Sequence, residues 1–145
     1  NSRLDSIQAA ILSVKLNYLT DYSSARKTAA EFYNVAFNSV SEIETPIISN
    51  FSTHVFHQYT IKLDKKIDRD KLQEHLKLEG IPSMIYYPVP LHLQKAYQDK
   101  RYEKGSFPIT EKLSKTVLSL PMHTELDIEQ LTFITNAIKN YINKL

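Results

Sequence analysis

The chain has 145 residues, 42 % of them hydrophobic, which is enough for one domain with its own core. Its formal net charge of +2 is too small to indicate a nucleic-acid partner, and the absence of cysteine excludes a disulfide framework and thiolate chemistry. No apolar run approaches the roughly 20 residues that span a bilayer, so we expect a soluble, cytoplasmic protein with no nucleic-acid or membrane partner.

The first third of the chain is predicted to be helical, because apolar residues recur there at spacings of three and four and no glycine or proline precedes Pro46. The stripe consists of Leu4, Ile7, Ile11, Val14, Tyr18, Tyr22, Ala25, Ala29, Phe32 and Ala36. It is longer than the mean helix of about three turns. We therefore expect either one bent helix or two helices that meet near residues 20–23, where short polar side chains compete for backbone hydrogen bonds. A long helical segment at the start of a chain often connects parts of a protein or forms a dimer contact, and simply covering a sheet is an equally good interpretation.

The middle of the chain is predicted to contain two strands and a helix. Alternating apolar side chains predict a strand over about residues 53–63. Asp68 is a suitable N-cap for the helix that follows, and Gly80 is suited to end it. Residues 83–86 are then predicted to form a short strand.

The last part of the chain is predicted to end in a helix. One or two helical turns are expected over residues 110–115, followed by a short apolar segment over residues 117–121. Asp127 and Gln130 have the spacing of a capping box. The helix after them carries Leu131, Ile134, Ile138, Ile142 and Leu145. With no repeat or linker, these elements predict one α+β unit, a small mainly antiparallel sheet covered by helices, with a long N-terminal helical segment.

The segment of residues 86–92 (YYPVPLH) is predicted to be rigid. Pro88 and Pro90 fix φ, lack an N–H group and favour an extended conformation in the residue before them. Two phenol rings and an imidazole are therefore held in fixed relative positions. From these residues alone, a binding edge and a merely rigid turn are equally good interpretations.

The residues show no self-contained catalytic group. His54 and His57 are three apart, so on a strand they would point to opposite faces, and no cysteine joins them as a metal ligand. There is no G-x-S-x-G elbow, and two glycines are too few for a phosphate-cradling loop. We therefore expect no metal site and no catalytic residue in this chain.

Residues 1–12 (NSRLDSIQAAIL) resemble the N-x-R-[LM]-[DT]-x-[IL]-Q-A-A signature of the DegT/DnrJ/EryC/StrS family, whose members are pyridoxal-phosphate-dependent sugar-nucleotide aminotransferases. The likeness continues in chain order over nearly the full length. The further matching positions are Arg26 and Tyr33, residues 54–59, 80–82 and 87–92, Phe107 and Pro108 with Glu111, and residues 118–123.

The resemblance implies that residues 1–145 form the C-terminal small domain of an aspartate-aminotransferase-like enzyme of fold type I. The large domain, which binds pyridoxal phosphate and carries the lysine that attaches it, would lie upstream, and no lysine here matches that position. The full-length enzyme would convert a nucleotide-diphosphate keto-sugar to an amino sugar, with glutamate as amino donor, in cell-surface polysaccharide or amino-sugar biosynthesis. It would act as a homodimer, and the isolated fragment would be inactive.

The resemblance also implies roles for five residues. Asn1 would reach the cofactor phosphate of the neighbouring subunit, with a helix N-cap as the alternative role. Arg3 would lie near the substrate diphosphate, with a surface salt bridge as its alternative. Tyr86, Tyr87 and His92 would line the nucleotide-sugar pocket, although many family members have histidine at the position of Tyr86.

Two other functions fit the same resemblance. Some relatives use the fold for cofactor-dependent sugar dehydration, with a histidine in place of the attaching lysine. A non-enzymatic regulatory or binding module that kept the small domain is the other alternative. The residue at the upstream lysine position would separate the aminotransferase from the dehydratase. A full-length gene without the large domain would favour the non-enzymatic module.

Overall fold

The computed structural model describes residues 3–145. Over these residues the chain forms five α-helices, three strands and two short 3-10 turns. The elements are α1 (Ser6–Leu16), α2 (Leu19–Phe37), β1 (Ile43–Glu44), β2 (Tyr59–Leu63), α3 (Arg69–Leu78), the turns Leu91–Leu93 and Lys95–Tyr97, α4 (Pro108–Thr116), β3 (Val117–Leu120) and α5 (Ile128–Ile142).

The three strands form one antiparallel sheet in the order β1-β2-β3. The central strand β2 pairs Tyr59 with Leu120 of β3 and Leu63 with Ile43 of β1. Instead of the short strand expected over residues 83–86, a single bridge joins Met84 to β3. The α+β class and the antiparallel sheet predicted from the sequence are confirmed.

The core lies between the sheet and the helices α2, α3 and α5. Its largest fully buried side chains are Tyr33, Phe37, Tyr59, Ile61, Leu72, Leu76, Leu118 and Ile138. The Tyr33 hydroxyl donates to the Pro121 carbonyl at 2.9 Å, and the Tyr59 hydroxyl donates to Asn34 Oδ1 at 2.6 Å. Burial raises the pKa of both tyrosines. The two phenols are thus packed as neutral hydrogen-bond donors.

The predicted ends of α3 and α5 that depend on a capping residue are confirmed. Asp68 accepts from the first-turn amides of α3, and Gly80, with φ of 75°, lies just beyond its end. Asp127 and Gln130 form the reciprocal capping box of α5. The apolar stripe of α5 is buried except for Leu145, which lies beyond the helix and is 74 % exposed.

The N-terminal helical segment is divided into two helices, but not at the predicted place. α1 ends at Leu16 and α2 begins at Leu19, so the break lies at residues 17–18. The polar cluster near residues 20–23 begins α2 instead. Short polar and acidic side chains such as Asp21 are favourable in a first turn, which explains why the cluster starts a helix rather than interrupting one.

The strand predicted over residues 53–63 begins only at Tyr59. Phe56 adopts a left-handed φ of 49°, and its amide donates to His54 Nδ1 at 2.9 Å. The alternation therefore fails before β2, where Phe56 is buried and Val55 is 52 % exposed. The expectation that His54 and His57 point to opposite faces of a strand is consequently wrong, since neither residue lies on one.

Candidate functional site

A cleft of about 630 Å³ opens beside residues 86–91. One group of its lining residues, which we call the tyrosine wall, comprises Tyr86, Tyr87, Val89, Pro90 and Leu91. The other, which we call the helix wall, comprises Thr110, Leu113, Ser114 and Val117 from α4 and the start of β3. The lining is mainly apolar with a few hydroxyl and amide groups, which is typical of a small-molecule site.

The tyrosine wall is fixed at both ends by backbone hydrogen bonds. Before it, Met84 and β3 residue Ser119 exchange N–H···O bonds of 3.0 and 2.8 Å. After it, the 3-10 turn Leu91–Leu93 is closed by the Leu93 amide, which donates to the Pro90 carbonyl at 2.9 Å. Between these points the prolines limit the backbone, so the wall has little freedom to collapse into the cleft.

Tyr86 and Tyr87 lie in the cleft lining, where the sequence predicts a binding role for both. Tyr86 is 39 % exposed and Tyr87 is 73 % exposed. Their ring centroids are 5.8 Å apart with the rings nearly edge to face. An exposed phenol offers a face for stacking and a hydroxyl for hydrogen bonding, so the two side chains are suited to an aromatic or polar ligand.

His92 does not lie in the cleft lining. Its side chain is only 9 % exposed, and its Nε2 lies 3.1 Å from Glu111 Oε1 of α4. The imidazole packs edge-on against Phe107, with 4.8 Å between ring centroids. His92 instead borders a second, smaller cavity together with Leu93 and residues 98–100 and 102–104. Its predicted contact with a ligand stays a prediction, and Nε2 is already engaged by a carboxylate.

Glu111 joins three parts of the chain through one oxygen. Besides facing His92, Oε1 accepts from the Gly105 amide at 2.7 Å and from the Phe107 amide at 3.4 Å. The Gly105 hydrogen bond is the main cause that holds the pKa of Glu111 below its usual value, and His92 adds to it. The sequence singles out Glu111 only as part of a motif, because these three partners are distant along the chain or irregular in structure.

Arg69 holds the other end of the helix wall and was not predicted. This arginine is 8 % exposed, and its Nη1 donates to the carbonyls of Ser114 and Val117 at 3.0 and 3.2 Å. It thereby satisfies carbonyls at the end of α4 that the helix leaves without partners. One feature of the sequence could have indicated a role for Arg69. It is a basic residue in the first turn of α3, where the helix dipole disfavours a positive charge.

Of the two N-terminal site residues, the structure describes only Arg3, which does not line the cleft. Asn1 lies outside the described residues, and Arg3 is exposed ahead of α1. Asp5 is the N-cap of α1 and accepts from the Gln8 amide at 2.8 Å. Within residues 3–145 Arg3 makes no salt bridge.

Among the described residues, the cleft lining contains no group that would attach pyridoxal phosphate. No lysine lines the cleft among residues 3–145, and neither Gly80 nor Gly105 borders it. In the same part of the chain, no group of three or more histidine, aspartate or glutamate side chains is placed to hold a metal ion.

The helices in the described part of the chain include none that is both long and apolar enough to cross a membrane.

Comparison with known proteins gives a consistent family. The family model described as "DegT/DnrJ/EryC1/StrS aminotransferase family" matches residues 1–139. The chain is 44 % identical over 143 residues to the "pleiotropic regulatory protein" of Geobacillus stearothermophilus, covering 97 % of this chain and 38 % of that protein. It is 38 % identical over 140 residues to the UDP-2-acetamido-2-deoxy-3-oxo-D-glucuronate aminotransferase of Pseudomonas aeruginosa, covering 97 % and 37 %.

A solved structure agrees with these relatives. The structure of S. venezuelae DesV in complex with a ketimine intermediate matches with a TM-score of 0.92 and 32 % identity. The match covers 100 % of this chain and 38 % of that one. The chain thus spans 37 to 38 % of the length of these relatives.

Proposed function

The chain belongs to the DegT/DnrJ/EryC1/StrS aminotransferase family, and we propose that it is the C-terminal small domain of a pyridoxal-phosphate-dependent aminotransferase. The full-length polypeptide converts a nucleotide-diphosphate keto-sugar to an amino sugar, with glutamate as the donor. The observation that carries the proposal is the cleft with its two exposed tyrosines, in a chain whose family match runs through it. The 3-oxo sugar nucleotide in the name of the P. aeruginosa relative supports the substrate class.

The cofactor and its attaching lysine belong to a large domain outside this chain. The length of the relatives and the lack of a lysine in the cleft lining of residues 3–145 support this division. When bound, pyridoxal phosphate supplies an electron sink for the transfer of the amino group. The 145-residue chain alone is therefore inactive, and its share of the reaction is to bind and orient the substrate.

In binding the substrate, Tyr86 and Tyr87 stack on or hydrogen-bond to the nucleotide-linked sugar, while apolar side chains such as Leu113 keep water from it. Arg3 pairs with the diphosphate, since a guanidinium binds such groups through two hydrogen bonds. Asn1 donates to the cofactor phosphate of the neighbouring subunit in a homodimer. The mainly apolar lining beside the exposed phenols supports the part assigned to the tyrosines and Leu113.

The test of the activity uses the full-length polypeptide. We expect an upstream lysine, the yellow absorbance of a lysine-bound cofactor, and amino transfer from glutamate to a nucleotide keto-sugar. Absence of both the lysine and the absorbance would contradict the proposal. A histidine at the lysine position, with cofactor-dependent loss of water from the sugar, would indicate a dehydratase instead.

The role of the cleft is tested with Tyr87→Ala in the same polypeptide. Stacking of a base on an aromatic ring is worth roughly 1–3 kcal/mol, so titration calorimetry should show about tenfold weaker binding of UDP or dTDP, with the cofactor still bound. Tyr97→Ala is the matched control, since Tyr97 is 61 % exposed but lies outside the cleft lining. Equal affinities of the two variants would count against the cleft.

A regulatory module is the second candidate, because the G. stearothermophilus relative is named a pleiotropic regulatory protein. This function predicts nucleotide-sugar binding without turnover. A full-length polypeptide that binds UDP or dTDP but neither holds the cofactor nor transfers an amino group would favour it.

A further inference from the structure

We propose that Glu111 and His92 are positioning residues that fix the tyrosine wall relative to the helix wall, so that the cleft is held open at a width suited to its ligand. The inference rests on the proposed function of the cleft. It assigns His92 an action through Glu111, and it adds Glu111 to the residues on which the site depends.

The Met84–Ser119 hydrogen bonds tie only the start of the tyrosine wall to β3, so its end at Leu91 needs a separate link to the helix wall. The tyrosine wall ends at Leu91, and α4 begins at Pro108. The intervening residues contain only the two 3-10 turns and irregular chain. A connection of this kind does not by itself fix two surfaces relative to each other, because its own backbone hydrogen bonds are short in range.

The Glu111–His92 pair supplies the link. His92 follows Leu91 directly and lies in the same 3-10 turn, while Glu111 is in the first turn of α4, beside Thr110 of the helix wall. Their side chains approach to 3.1 Å. Any outward movement of the turn at Leu91 must therefore break this contact or drag α4 with it.

The surroundings make the link strong. The side chains of His92 and Glu111 are 9 % and 15 % exposed, so water competes little for either. A carboxylate in the first turn of a helix is favoured by the helix dipole, and hydrogen bonds to an ionised group are stronger than neutral ones. The Gly105 amide reaches the same oxygen from a backbone with φ of 98°, a conformation that favours glycine.

The experiment uses the full-length polypeptide with Glu111→Ala, Glu111→Gln, His92→Ala and the double variant His92→Ala/Glu111→Ala, and Glu129→Ala is the control. Glu129 is also an acidic residue in the first turn of a helix, but it is exposed on α5. Two properties are measured: amide hydrogen exchange, and the affinity for UDP and dTDP by calorimetry. The reporting amides are those of Leu93 and Gln94, which close the 3-10 turn, and that of Ser119, which holds the start of the tyrosine wall.

For Glu111→Ala we expect protection of Leu93 and Gln94 to fall at least about tenfold while Ser119 keeps its protection. Nucleotide affinity should fall about tenfold, the size expected when one charge-assisted hydrogen bond is lost. Glu111→Gln retains an acceptor oxygen and should recover part of both losses. Glu129→Ala should change neither, and the double variant His92→Ala/Glu111→Ala should bind no more weakly than the weaker single variant.

Unchanged amide exchange at Leu93 and Gln94 in Glu111→Ala would overturn the proposal. Faster exchange at these amides with no change in the affinity for UDP and dTDP would also overturn it. Equal loss of protection at all three amides would show a general effect on stability and would also overturn it. If Glu111→Ala does not fold, Glu111→Gln decides, because it keeps the shape of the side chain. If the unchanged polypeptide binds neither nucleotide, the proposed function fails, while the exchange result still decides whether the pair holds the wall.

Discussion

The helices α1 and α5 begin with the same local signal and end in opposite environments. Each has an aspartate N-cap that accepts from the amide of a glutamine three residues later, Asp5 from Gln8 at 2.8 Å and Asp127 from Gln130 at 2.7 Å. Yet α5 buries six of its residues and α1 buries none. Capping chemistry therefore explains where both helices start, but not why only one of them is packed.

The difference lies in how the apolar side chains are distributed around each helix. In α5 the buried aliphatic residues follow spacings of three and four and share one face, which packs on the core. In α1, at 100° per residue, Ile7, Ile11 and Val14 lie on one side, and Leu12 and Leu16 lie on nearly the opposite side. A helix that is apolar on two sides is one that becomes buried, so we expect the large domain of the proposed full-length enzyme to cover α1.

Substitutions in the middle of each helix should give the largest contrast. Ile138→Ala removes a fully buried side chain of α5 and should lower the free energy of unfolding by about 2–5 kcal/mol. Ile11→Ala affects a side chain that is 55 % exposed, and alanine is a better helix former, so the change should stay within about 0.5 kcal/mol. Urea unfolding of the 145-residue chain measures both values.

The substitutions Ile11→Ala and Ile138→Ala, made in the full-length polypeptide, test whether α1 becomes buried there. There Ile11→Ala should cost about 2 kcal/mol, as expected for an aliphatic side chain that has become buried, while the cost of Ile138→Ala stays as it was. If Ile11→Ala remains neutral in the longer protein, α1 is not covered by further polypeptide, and burial does not account for its two apolar sides.

The sequence predicts this fold best where one residue and its near neighbours decide the structure. The caps at Asp68 and Asp127 and the stop at Gly80 depend on side chains within a few positions, and all three are confirmed. The start of β2 is different, since it depends on the left-handed conformation of Phe56 and its hydrogen bond to His54. Period-two alternation contains no information about such a turn.

In the candidate site, too, the sequence predicts the features that depend on neighbouring residues and not those that depend on distant ones. The rigidity of the tyrosine wall follows from Pro88 and Pro90, and the structure places both tyrosines in the cleft lining, while their binding role stays a prediction. The contact of His92 with Glu111 joins positions 19 apart, and that of Arg69 with Ser114 joins positions 45 apart. No local pattern reports such partners, so the sequence identifies the exposed wall but not what holds it.

Removing the hydroxyl of a buried tyrosine and of an exposed tyrosine should change the free energy of unfolding by different amounts, with a smaller contrast than that between Ile138→Ala and Ile11→Ala. Tyr33→Phe removes the hydrogen bond to Pro121 and should cost about 1 kcal/mol near pH 7. Burial first, and then nearby Tyr59, raises the pKa of Tyr33 above its ordinary value of 10.0. Because the folded state holds this proton more tightly, stability is present below pH 10 and is lost as pH rises above it. Tyr33→Phe should therefore make the alkaline loss less steep.

Tyr18→Phe is the control for this change, since it removes a hydroxyl from a side chain that is 52 % exposed between α1 and α2. We expect its free energy of unfolding near pH 7 to stay within about 0.5 kcal/mol of the unchanged chain. Unfolding in urea at a series of pH values measures both variants. If the free energy of unfolding falls equally steeply above pH 10 in Tyr33→Phe and in the wild-type chain, the role assigned to the buried phenol is contradicted.

The smallest effects are expected from the two caps, and they test the contrast between α1 and α5 most directly. Asp127→Ala should lower the free energy of unfolding by about 1 kcal/mol, because α5 cannot loosen without exposing the core. Asp5→Ala removes an equivalent hydrogen bond from α1, which unfolds locally without loss of core contacts. It should therefore reduce helicity by circular dichroism while leaving the unfolding midpoint in place. A common shift of the midpoint in both variants would show that α1 and α5 unfold as one unit, and that the exposure of α1 does not make it independent of the core.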